Sequence, residues 1–134
     1  MATIEEHKSI LKELLDDINE KIRADLLKER QKIIGFAASE ASAHLFALLL
    51  HKNNLISPGY NVNHKFFSSA KKAENRFEFE FPQKDKILNL LVKQEDFRDK
   101  LCYGRDKDKT TVSSAITNLF ELKQTIEEII GDVL

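Results

Sequence analysis

The sequence predicts an all-α chain, an up-and-down four-helix bundle with one additional short helix, on three observations. Apolar residues recur at intervals of three, four and seven through four long stretches. Only 4 glycines and 2 prolines occur in 134 residues, too few for the tight turns of an all-β chain. The one alternating stretch sets Phe77, Phe79 and Phe81 around Glu78 and Glu80, and no second strand exists to pair with it. A chain of this length fills one core, whereas two domains would each sit near the lower limit for independent folding, so residues 1–134 read as a single domain.

The first helix is predicted over residues 3–28, where Ile4, Leu11, Leu15, Ile18, Ile22 and Leu26 share a face. Thr3 followed three residues later by Glu6 reads as a capping box. Residues 31–52 are apolar on most sides, from Ile33, Ile34 and Phe36 to Leu48, Leu49 and Leu50, and a helix of that kind has to be central. Asn53 and Asn54 supply its stop. Ser57-Pro58-Gly59 marks a loop. Asn63 then caps a third, shorter helix over 64–76, which turns Phe66, Phe67, Ala70, Ala73 and Phe77 inward. Residues 77–81 read as an extended connector whose phenylalanines plug the core. After Pro82 a fourth helix runs over 84–103 to a stop at Gly104, and Thr111 caps a fifth that ends at Gly131.

Net charge is −1, but it is unevenly placed. Residues 1–30 carry −2 and residues 121–134 carry −3, while 64–76 carry +3 and 98–109 carry +2. A basic middle between acidic ends is able to steer an anionic partner such as a nucleic acid, but composition alone favours the mixed charge of solvated helix faces. Residues 45–50 form the longest unbroken apolar run, far short of the roughly 20 residues that span a bilayer. Charges also fill the first 15 residues, where a signal peptide would be apolar. The expectation is a cytoplasmic protein with no membrane partner. The lone Cys102 excludes an internal disulfide and a thiolate metal site.

Four histidines are available as general bases. His7 reads as solvated on the polar side of the first helix, His44 as a hydrogen-bonded core residue, and His51 as a cation placed at a helix C-terminus. His64 sits with Lys65, Asn61 and Asn63 in a polar cluster suited either to a ligand or to helix capping. His44 and His51 are seven apart, and no metal-binding motif, phosphate loop or nucleophile elbow is present, so no metal and no cofactor are expected. The densest remaining chemistry lies in Arg98-Asp99-Lys100-Leu101-Cys102-Tyr103-Gly104-Arg105. Arg98, Leu101, Cys102 and Arg105 share one side of a helix end, and the arginines suit phosphate. Tyr103 is able to stack on a base or simply to close the end of the bundle.

With its Ala-rich central helix (35–52), the Asn63-His64-Lys65 start and the Arg98 to Gly104 stretch, the chain resembles the HEPN family of small prokaryotic helical bundles. The resemblance covers residues 32–134. Many members carry Arg-Asn-x-Leu-x-His-Gly; Arg98, Leu101 and Gly104 match, while Asp99 replaces the Asn and Tyr103 the histidine. The resemblance implies a homodimer whose fourth helices line a shared groove, and a nucleotidyltransferase-like protein as partner. It puts Arg98 and Tyr103 in that groove; with Arg105 and the Lys65 and His64 cluster, these are the contacts expected for a nucleotide or RNA. Ribonucleases of the family use the missing histidine in metal-independent RNA cleavage. A tyrosine with a pKa near 10 is ionised only about one part in a thousand at pH 7, which points to a non-catalytic binding module. The alternatives are a toxin-like endoribonuclease with Arg98, Tyr103 and His64 as candidate catalytic residues, and a structural adaptor.

Overall fold

The helix α2 (Gln31–Lys52) is the axis around which the others assemble in the computed structural model, which describes residues 3–134. Fifteen of its residues are buried on all sides of the helix, including Ile34, Ala38, Ala41, Leu45, Phe46, Leu48 and Leu49. By length and composition it could cross a bilayer, and here most of it is enclosed by neighbouring helices. Around it pack α1 (Ile4–Arg23), α4 (Lys84–Cys102) and α5 (Lys109–Ile130). The fold is a helical bundle, as predicted, and the described residues contain no strand. Its plan is a mutually packed trio of α2, α4 and α5, with α1 laid against α2 and no close backbone approach between α1 and α5.

Local signals account for most boundaries. Thr3 and Glu6 form the capping box: the Thr3 hydroxyl accepts from the Glu6 N–H, and Glu6 Oε2 accepts from the Thr3 N–H at 2.8 Å. The first helix is shorter than its periodicity predicts. It stops at Arg23 because Asp25 takes a left-handed φ of 55°, which lets the Leu26 N–H bond back to the Lys21 carbonyl. The predicted third helix divides in two, a 3-10 turn at His64–Phe67 capped by Asn63, and α3 (Ala70–Arg76) capped by the Ser69 hydroxyl. Asp108, not Thr111, caps α5: its carboxylate accepts from both the backbone N–H and the hydroxyl of Thr111. Gly131 ends α5 with φ 69°, as a C-terminal glycine does.

The phenylalanine connector does plug the core. Phe46 of α2 meets Phe67, Phe77 and Phe81 at ring-centre distances of 5.7, 4.9 and 5.6 Å, largely edge to face. This cluster fastens the 3-10 turn and the connector to α2, and so fixes where His64 falls. At the other side of the trio, Asn118 donates to the Leu90 carbonyl and to Gln94 Oε1, and Gln94 donates to the Ala115 carbonyl. These buried amides satisfy one another and set the register of α4 on α5.

Candidate functional site

Arg98 lies one turn from the end of α4 and points into the seam with α2, with only 9% of its surface exposed. Its Nη1 donates to Ser39 Oγ at 3.2 Å and to Glu40 Oε2 at 3.1 Å. The guanidinium carbon stands 5.0 Å from the centre of the Phe36 ring, within cation–π range. Phe36, Ser39 and Glu40 come from successive turns of one α2 face, so α2 supplies the ring, the hydroxyl and the carboxylate. The seam is narrow because Gly35 faces α4: a Cβ there would stand 2.8 Å from Leu101 Cβ. Beside it the Cys102 thiol donates to the Lys32 carbonyl, and burial pushes that thiol's pKa up, away from thiolate chemistry.

One turn before Arg98 on the same face of α4 is Glu95, a carboxylate just 7% exposed. Both its oxygens lie within hydrogen-bond reach of His64 Nδ1, at 2.9 and 2.8 Å. His64 is delivered by the 3-10 turn, whose Asn63 cap and buried Phe67 hold the backbone on either side of it. The site is thus a chain of side chains, His64 to Glu95 on one side and Arg98 to Glu40 and Ser39 on the other, joined through α4. Besides the imidazole it holds two carboxylates and one guanidinium.

Of the ligand contacts expected from sequence, the structure joins His64 and Arg98 through this face of α4 and leaves Tyr103, Arg105 and Lys65 exposed. Tyr103 is the residue after α4 and is 61% exposed. Arg105 is exposed in the loop beyond Gly104, so it does not continue the helical side shared by Arg98, Leu101 and Cys102. That loop is held by Gln31, whose amide donates to the Lys107 carbonyl and accepts from the Lys107 N–H. Lys65 is exposed on the 3-10 turn. Three of the exposed large apolar side chains, Ile33, Phe36 and Tyr103, belong to this end of α2 and α4.

Sequence reasoning missed Glu40, Ser39, Phe36 and Glu95 as members of the site. Glu40 carried a signal, being the one Asp, Glu, Lys or Arg in residues 33–51. His7 is corrected outright. It is buried, 7% exposed, because it continues the stripe of Leu11, Leu15 and Ile18 that α1 turns to α2. There its Nδ1 meets the Nδ1 of His44 at 2.8 Å. Burial first, then the nearby His44 and His51, lower its pKa to about 4, with Glu6 opposing; burial also lowers that of His44. Among the described residues no group of three His, Cys, Asp or Glu side chains is placed to hold a metal ion. No family model, curated protein or solved structure matches the chain.

Proposed function

We propose that the protein is a HEPN-like binding module without a catalytic role, which pairs with a second copy of itself through the end of α2 and α4 around Arg98. One observation carries this reading: Ile33, Phe36 and Tyr103 are 51%, 48% and 61% exposed beside a guanidinium that is itself buried. Aromatic side chains and arginine are what protein interfaces concentrate, and an exposed apolar group of this kind is unfavourable unless covered. The guanidinium is engaged by Glu40, so the exposed Arg105 and Lys65 are the cations assigned to an anionic ligand, a nucleotide or RNA, in the groove that pairing creates. Light scattering of the purified chain tests the pairing. A dimer that Phe36→Asp converts to a folded monomer is the expected result, and a wild-type monomer at high concentration refutes it.

A second reading rests on the His64–Glu95 contact. A carboxylate on Nδ1 fixes the ring and its tautomer, which is how a general-base histidine is commonly prepared. This supports a metal-independent endoribonuclease using His64 and Arg98. Cleavage of RNA in chelator that is lost in His64→Gln decides for it; intact RNA decides for the binding module.

A further inference from the structure

His7, in the first turn of α1, lies beside both His44 and His51, which stand two turns apart on one face of α2. The His7 ring centre is 5.1 Å from that of His44 and 5.4 Å from that of His51. The 2.8 Å contact between His7 Nδ1 and His44 Nδ1 requires one proton between them. If His44 donates it, neutral His7 carries its own proton on Nε2, and that nitrogen is buried with no hydrogen-bond partner. A buried N–H without an acceptor is among the rarest states in folded proteins. If His7 donates from Nδ1, its Nε2 is a bare lone pair, the milder of the two. The second arrangement is also the form of a metal-bound histidine, with one nitrogen anchored through its proton and the other free to ligate.

The Nε2 of His51 is likewise buried without a partner. Two imidazoles on one tetrahedral ion, with metal–nitrogen bonds of about 2.0–2.1 Å, hold their ring centres roughly 5.2 Å apart. The His7–His51 separation of 5.4 Å is within a few tenths of that. We propose that His7 Nε2 and His51 Nε2 bind one divalent transition-metal cation of the Zn2+, Ni2+ or Cu2+ class, with His44 orienting His7. Imidazole donors select this class over Ca2+ and Mg2+, which take oxygen. His51 also lines a surface pocket with Ile4, Glu5, Asn54, Ile56 and Pro58. The ion would join the start of α1 to the end of α2, independently of the Arg98 site.

The test uses the full chain, stripped with chelator and dialysed, then titrated with ZnCl2 or NiCl2 by calorimetry and thermal unfolding. One equivalent is expected, raising the melting temperature by several degrees at saturation. His51→Gln abolishes binding, His44→Gln weakens it about 10- to 100-fold, and His64→Gln leaves it unchanged. In histidine 15N spectra zinc shifts the Nε2 signals of His7 and His51 and leaves His7 Nδ1 protonated, a readout that stands even where His7→Gln fails to fold. Absence of binding at submillimolar metal, or binding that His51→Gln does not alter, overturns the proposal.

Discussion

Arg98 and Glu40 form an ion pair whose halves have unequal access to water: the guanidinium side chain is 10% exposed and the carboxylate 35%. Removing one member of a pair costs most when the survivor cannot rehydrate. Glu40→Ala strands a buried guanidinium whose Nε already lacks a partner. Arg98→Met strands a carboxylate that water can reach, and fills the seam with a flexible apolar chain. Urea unfolding is therefore expected to show Glu40→Ala losing about 2–4 kcal/mol and Arg98→Met clearly less. Equal losses would mean that the pair is governed by packing alone.

Gly35 offers a second check on the same seam. An alanine there gains up to about 1 kcal/mol of helix propensity. Its Cβ, however, would stand 2.8 Å from Leu101 Cβ and 3.2 Å from Cys102 Sγ, and Leu101 Cβ moves only if the α4 backbone moves. Overpacking of this kind costs about 1–3 kcal/mol. Gly35→Ala is expected to lower the urea midpoint, with the peptide amides of 98–102 reporting the shift by NMR. A raised midpoint would show that α2 and α4 separate freely.

The contact of His7 with His44 predicts acid lability in the metal-free protein. Unfolded His7 has a pKa near 6.5 and folded His7 one of about 4, so the folded state binds fewer protons between those values. Its contribution is complete above pH 6.5 and is lost as the pH falls toward 4, by at most about 3 kcal/mol. His44 moves in the same direction, with Glu6 and Glu40 the nearby acids that oppose the two shifts. Denaturation in chelator across that range is expected to show the loss, and His7→Leu to flatten it relative to wild type.

What could be read from the sequence was what depends on neighbours along the chain. Both ends of α2 were legible because its apolar run is bounded by Lys32 and by Lys52-Asn53, and the caps at Thr3, Asn63 and Gly131 act within four residues. Contacts between distant residues were not legible. Nothing near Arg98 in sequence announces that a carboxylate 58 positions earlier will meet it, or that Glu95 will receive a histidine from 31 positions away. His7 is the instructive failure: its spacing from Leu11, Leu15 and Ile18 placed it on the buried stripe, and its residue type suggested the reverse. Periodicity was the better guide, because a neutral imidazole is buried readily when another ring accepts its proton.

The lopsided plan of the bundle has a dynamic consequence. Because α1 leans on α2 and makes no close backbone approach to α5, it can leave as a unit while the trio of α2, α4 and α5 keeps its mutual contacts. Partial opening of this sort has its own free energy, below that of global unfolding. Native-state hydrogen exchange would resolve two tiers of amides, those of α1 exchanging first and together, those of α4 and α5 only with the whole molecule. The seam along α1 is where the protein would open under force, proteolysis or mild acid, and a bound ion at its first turn would act as the catch.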